Sequence, residues 1–351
     1  MQRLKDHPHR FMILWLCLGI FLVLSMVVVG GLTRLTHSGL SMTEWSFAGS
    51  FPPVNEEGWN AEFGKYKQSP EYIELHSHFT LSEFKGIYWW EYIHRMLGRF
   101  IGVVFMIPFL LFLVLKRVPK GILPSLLLIL ALGTVQALLG WFMVKSGLVD
   151  VPRVSHYRLA AHLTTAFITC TVIFWVVFKV FDHGVVPRRL AMKPLPVVLI
   201  VLLLIQIVYG AFVAGMRAGL IHNTWPLMDG ALVGDMVTAM DPLYQNFLEN
   251  RSGVQFVHRT LGLIVAILAI YAGWKAVSTG NTHQKLSGKW LIGMVVVQFL
   301  LGVFTLLMAV PIVLGVLHQV VALLLLLAVV AYYYFQRFEF TPASETSRSG
   351  A

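Results

Sequence analysis

The chain has 351 residues, 57% of them hydrophobic and only 13% charged, with a formal net charge of +10. Soluble domains carry about 25% charged residues, so a large water-soluble enzyme is excluded. A nucleic-acid-binding module is excluded too, because the basic excess sits in the connections between long apolar runs and reads as membrane topology.

In chain order, eight runs are long enough to cross a bilayer, which takes about 20 residues. They lie near 11–32, 91–115, 121–144, 158–181, 197–216, 254–274, 290–310 and 312–336. The first is too long for a secretory signal and no small-residue cleavage site follows it. Cys17 and Cys170 lie inside apolar runs and read as small buried hydrophobes, which leaves no disulfide or zinc framework.

Basic residues gather in alternate connections: Arg3, Lys5 and Arg10; Lys116, Arg117 and Lys120; Arg188, Arg189 and Lys193; Lys275, Lys285 and Lys289. The long loop 33–90 is acidic instead, with Glu44, Glu56, Glu57, Glu62, Glu71, Glu74 and Glu83 against Arg34, Lys65, Lys67 and Lys85. The positive-inside rule then places both termini in the cytoplasm and the long loops outside. The third connection, with Lys145, Arg153 and Arg158, fits this pattern less cleanly.

The chain repeats itself. "VVG" at 28–30 returns as "VYG" at 208–210, and Gly39-Leu40 through Trp45 returns as Gly219-Leu220 through Trp225, both 180 residues on. "HRMLG" at 94–98 matches "HRTLG" at 258–262, "QALLG" at 136–140 matches "QFLLG" at 298–302, and "HLTTA" at 162–166 matches "HQVVA" at 318–322. The matches are collinear and each half has four runs, so both halves enter the membrane in the same direction, as parallel repeats do. The fold class is therefore an all-α polytopic membrane protein, with eight transmembrane helices as two pseudosymmetric four-helix bundles. An N-terminal bundle (1–181, including loop 33–90) and a C-terminal bundle (197–336) are joined by a cytoplasmic linker (182–196), and a tail (337–351) follows.

Four of the thirteen histidines fall inside runs: His94, His162, His258 and His318. They occupy the second, fourth, sixth and eighth, each within about two turns of the outer end. Intramembrane ionisable residues are costly and are functional candidates by default. Two imidazoles facing one another across a bundle are what a haem iron takes as axial ligands. A zinc site would need more ligands, and a proton relay would spread its groups through the membrane depth. The pattern points to two haem sites at one depth. His156 and His222, at loop edges, read as solvated loop residues.

Arg95 and Arg259 follow the repeated histidines, and arginine binds carboxylates such as haem propionates in bidentate fashion. Arg34 and Arg217 lie where odd-numbered runs emerge, but the repeat pairs Arg34 with Ala214 and His37 with Arg217. The halves differ at one telling place. Glu91 stands three residues before His94, whereas Gln255 stands three before His258. Positions i and i+3 share a helix face, so one half has a carboxylate at its haem-like site and the other a neutral isostere. Two readings of Glu91 stand level at this point: a division of labour, in which one half holds a cofactor and the other does chemistry, and a boundary glutamate that favours a helix N-terminus.

The stretches "GGLTRLTHSGLSMTEW" (30–45), "EYIHRMLGR" (91–99), "HYRLAAHLTTA" (156–166), "AGMRAGLIHNTWPLMDG" (214–230), "QFVHRTLG" (255–262) and "GVLHQVVALLLL" (315–326) together resemble the heme A synthase family. The resemblance covers about residues 10–336. It implies an oxidoreductase that converts heme O to heme A for terminal oxidase assembly. The C8 methyl of heme O would become a formyl group by successive hydroxylations. It implies heme b as an iron cofactor on His258 and His318, heme O as substrate on His94 and His162, and Glu91 as the catalytic glutamate. Metal-ligating residues are then His94, His162, His258 and His318. It further implies a bacterial inner membrane, surrounding lipid, and heme O synthase and cytochrome oxidase assembly factors as partners, with room for a homo-oligomer. Some family members have a cysteine pair in the first outer loop; loop 33–90 has none, as in mitochondrial and proteobacterial types. A diheme electron-transfer protein of the quinol-linked cytochrome b kind, or a haem carrier, would share the four histidines.

Overall fold

The structure is a computed structural model that describes residues 6–44, 46, 49–147, 154–183, 188–191 and 193–339. Arg3, Lys5, Trp45, Arg153 and the end of the tail from residue 340 lie outside the described residues. Among the described residues, eight helices are long and apolar enough to cross a membrane. They are α1 (Arg10–Leu35), α3 (Leu81–Val114), α4 (Leu123–Gly147), α5 (His156–Phe181), α6 (Pro194–Gly215), α7 (Arg251–Thr279), α8 (Thr282–Leu307) and α9 (Ile312–Arg337); a shorter helix, α2 (Glu56–Tyr66), lies between α1 and α3. Arg188–Arg189 and Phe338–Glu339 pair as a two-residue antiparallel ladder, β1 with β2.

Helix α3 departs most from the sequence expectation. It starts at Leu81, ten residues early, behind a capping box in which Thr80 and Glu83 satisfy each other's backbone N–H. At 1.5 Å per residue its 34 residues span about 51 Å, well over the bilayer core of about 30 Å, so its first turns protrude. There Phe84, Ile87 and Tyr88 pack with Trp59, Phe63 and Tyr66 of α2 into a small aromatic core. The long loop is thus substantially folded, and its fold is built on the projecting end of α3. Deeper in α3, Pro108 lacks the N–H that would bond the carbonyl of Val104. The indole of Trp15 on α1 donates to that carbonyl instead, at 2.9 Å.

The main core runs along α1, α5, α6, α7 and α9. Helix α1 packs on α9, and α6, its repeat counterpart, packs on α5. The halves therefore meet twice in the same way, the first helix of each against the last helix of the other. At the end that carries the loops, residues 180 apart touch. Arg34 donates to the carbonyl of Ala214 at 2.9 Å, and the Arg217 guanidinium lies 3.2 Å from His37 Nδ1. His37 and Arg217 both take left-handed backbone (φ 54° and 53°), so the repeat holds in local conformation as well.

Candidate haem sites

Each of the four intramembrane histidines lies against a glycine of the preceding membrane-spanning helix. A Cβ built on Gly30 of α1 would come 3.1 Å from His94 Cε1; on Gly140 of α4, 3.2 Å from His162 Cε1; on Gly210 of α6, 3.1 Å from His258 Cε1; on Gly302 of α8, 2.9 Å from His318 Cε1. Any side chain there would meet the imidazole below ordinary van der Waals contact. The repeated motifs at 28–30, 136–140, 208–210 and 298–302 are thus histidine seats, a purpose that sequence spacing did not reveal.

The glutamines of those motifs also reach the rings. Gln136 Nε2 is 3.3 Å from His162 Nε2, and Gln298 Nε2 is 3.4 Å from His318 Nε2. Gln206, one turn before Gly210, donates to the backbone carbonyl of His258 at 2.9 Å. In all four histidines Nδ1 is buried and has no hydrogen-bond partner. A buried polar atom left unpaired costs on the order of 1–3 kcal/mol, and this cost recurs at four repeat-related imidazoles, which sets them apart from ordinary core packing.

A haem iron fits this arrangement. In the C-terminal half the ring centroids of His258 and His318 are 6.4 Å apart with planes at 83°. Two metal–imidazole bonds of about 2 Å each, plus about 1.1 Å from nitrogen to ring centre on either side, span about 6.2 Å. No group of three or more His, Cys, Asp or Glu side chains forms a metal cluster among the described residues.

A family model described as cytochrome oxidase assembly protein (COX15-CtaA) matches residues 13–330. The chain is 46% identical to the heme A synthase of Flavobacterium johnsoniae over 321 residues, covering 90% of this chain and 94% of that protein. It is 46% identical to that of Flavobacterium psychrophilum over 320 residues (90% and 94%), and 42% identical to that of Parvibaculum lavamentivorans over 317 residues (90% and 91%). The chain belongs to the heme A synthase family.

In this heme A synthase family member the residues around Glu91 form a clamp on the loop. Glu91 is 2% exposed. Its Oε2 accepts from Ser41 Oγ at 2.7 Å and from the Met42 amide at 2.8 Å, and its Oε1 accepts from Arg95 Nε at 3.0 Å and from Arg95 Nη2. Arg95 continues to the carbonyls of Met42 at 2.9 Å and Glu44 at 2.8 Å. In the other half Arg259 donates to the carbonyls of His222 and Thr224, the repeat counterparts of Met42 and Glu44, and to those of Pro226 and Leu227. The Arg259 guanidinium also lies over the Trp225 ring at 5.2 Å. Gln255 donates to the carbonyls of Ala218 at 3.1 Å and Ile221 at 2.6 Å. Both arginines therefore hold the loop above a histidine pair. The Glu/Gln difference matches a difference in that loop: the first copy offers donors to position 91, and the second offers acceptors to position 255.

The remaining loop histidines are engaged as well. His156 opens α5 and lies 3.0 Å from the Leu248 carbonyl. His222 bridges Asp229 and, at 2.9 Å, Ser252 Oγ, which ties the second long loop to the start of α7. In the first loop Glu71 is buried and accepts from Tyr66, whose hydroxyl is also 2.7 Å from His76 Nδ1. Burial raises Glu71 to about 7; the Tyr66 bond opposes this and the charge of Glu91 adds to it. His37 is lowered to about 4, by burial first and then by Arg217 and Arg34.

Proposed function

We propose that this integral membrane protein is a heme A synthase, which oxidises the C8 methyl of heme O to a formyl group by successive hydroxylations. The two pairs of buried histidines, each ring with one unpaired nitrogen against a glycine seat, carry this reading. His94 and His162 of the N-terminal bundle (1–181) would hold substrate heme O. His258 and His318 of the C-terminal bundle (197–336) would hold heme b, which supplies one-electron transfer when bound. The linker 182–196 and both termini would face the cytoplasm and the clamped loops the outside.

The chain's own residues set the environment of the reacting methyl. Arg95 and Arg259 hold their loops onto α3 and α7. Glu91 lies one turn from His94. Its carboxylate is positioned by Ser41, Met42 and Arg95, so it can stabilise positive charge that develops on the benzylic-like carbon, or take a proton as the diol collapses. Gln255 cannot do either, which supports assigning the chemistry to the N-terminal half.

Extraction of the pigments from purified protein tests the reading. Heme b together with heme O or heme A is expected. Two equivalents of heme b would replace the reading with electron transfer, and substoichiometric mixed haem would replace it with a carrier.

A further inference from the structure

The two bundles close differently. In the C-terminal bundle α7 and α8 meet backbone to backbone: a Cβ on Gly273 would fall 2.7 Å from the Gly288 carbonyl oxygen, and one on Gly288 would fall 2.7 Å from that of Gly273. Ala269 and Ala276 continue the seam, and small residues of this kind are how membrane helices approach closely. The repeat places Phe105, Phe109 and Phe112 of α3 at the positions of Ala269, Gly273 and Ala276, and Leu126 of α4 at the position of Gly288. Phe105 and Phe112 turn onto Trp15 of α1, with ring centroids 5.2 and 5.5 Å away. Helices α3 and α4 consequently have little contact with each other.

Apart from Phe84, Ile87, Tyr88 and Glu91 at the loop end of α3, the buried residues of this pair lie around the connecting turn, Phe109, Ile122, Leu126 and Ile129 among them. Between Glu91 and Phe109 on α3, and from Leu130 to Lys145 on α4, no residue is buried. A Cβ on Gly102 or Gly133 would meet nothing within 4 Å, whereas their counterparts Ala266 and Val295 are buried. The two helices thus leave an apolar cleft between them, with the buried residues kept near the turn and open space at Gly102 and Gly133. Its walls carry one histidine pair: His94 is on α3, and Gly140, the seat of His162, is on α4.

We infer that the α3–α4 cleft is a lateral port through which a haem bearing a long isoprenoid substituent passes between lipid and the His94–His162 pair, with the apolar tail lying in the cleft. The inference rests on the heme O reading of that pair. A resident cofactor needs no port, and heme b has no such tail; the sealed α7–α8 seam suits it. A substrate and product that both carry the tail must enter and leave in every turnover, and the open bundle is the one with the carboxylate beside its histidine.

The test uses the full-length protein in lipid nanodiscs with its heme b in place, following heme O uptake by the Soret change in stopped flow. Gly133→Trp plugs one wall and Gly102→Val the other; Gly293→Trp, at an open position on α8, is the control. Uptake about tenfold slower in both plugged variants, with heme b content and spectrum unchanged, is expected, and wild-type rates in the control. Wild-type uptake in either plugged variant that retains its heme b overturns the port. So does unchanged uptake with loss of a co-purifying protein, which would make the cleft a protein interface. Wild-type protein that takes up no heme O at all would instead defeat the functional reading on which the port rests.

Discussion

Replacing Gly302 by alanine puts a methyl group 2.9 Å from His318 Cε1, 3.5 Å from Nδ1 and 3.7 Å from Nε2. Carbon atoms prefer separations of about 3.5–4.0 Å, so the ring must retreat by about 0.6–1.1 Å or the helices must part. The 6.4 Å spacing of the His258 and His318 rings already matches an iron between them, and a displaced ring no longer reaches along the same axis. Overpacking costs about 1–3 kcal/mol, and alanine returns up to about 1 kcal/mol of helix propensity. The net is about 1–2 kcal/mol, or roughly a tenfold loss of haem affinity in that half. The comparison is Gly293→Ala on the same helix, where a Cβ meets nothing within 4 Å; that variant keeps only the propensity gain. Haem titration and the low-spin signal of the ferric protein read the difference. If Gly302→Ala matches Gly293→Ala in affinity and signal, the glycine is not a seat and the reasoning fails.

Glu91→Gln should retain bound haem yet stop before the aldehyde, while Ser41→Ala, which removes one of four donors to the carboxylate and about 1 kcal/mol, should still give heme A; normal heme A from Glu91→Gln ends the catalytic role. Arg259→Ala should free the loop that its guanidinium holds at Thr224, Pro226 and Leu227. Limited proteolysis between residues 222 and 231 should rise with a local loss of about 2 kcal/mol, and unchanged cleavage refutes the clamp. Glu71 keeps its proton in the folded loop up to about pH 7, whereas an unfolded loop loses it near 4.5. Loop stability therefore falls as pH rises from about 4.5 to about 7, by about 3 kcal/mol at most, and stays level above. Hydrogen exchange of residues 56–76 should show this slope and Glu71→Gln should abolish it; a slope of opposite sign contradicts the assignment.

The spans and the four histidines were legible because a membrane punishes every polar residue it takes in, so length, hydropathy and a few exceptions say much. The projecting start of α3 was hidden for the same reason. Residues 81–90 mix Ser82, Glu83 and Lys85 with aromatics, and a hydropathy window does not see a helix supported by α2. The repeated glycines and glutamines stood in plain view, but seating a ring is a relation between two helices and leaves no mark along one. The partners of Glu91 were out of reach likewise, since Ser41 and Met42 lie about fifty positions away. The α3–α4 cleft required setting Phe105, Phe109 and Phe112 against Ala269, Gly273 and Ala276, which matters only once one knows which helices face each other.

The contacts of Arg34 with Ala214 and of His37 with Arg217 join places that are the same place in the repeat. Residues that touch their own counterparts lie on a two-fold axis, where two identical subunits must present identical groups to each other. Two N-terminal halves would there set arginine against arginine and histidine against histidine. Two C-terminal halves would set Arg217 against Arg217. Neither half can pair with itself as it pairs with the other. Because a single chain carries both copies, the two sides of the axis are free to be unlike, and that freedom is what the proposed division between a haem-holding and a haem-modifying bundle would use.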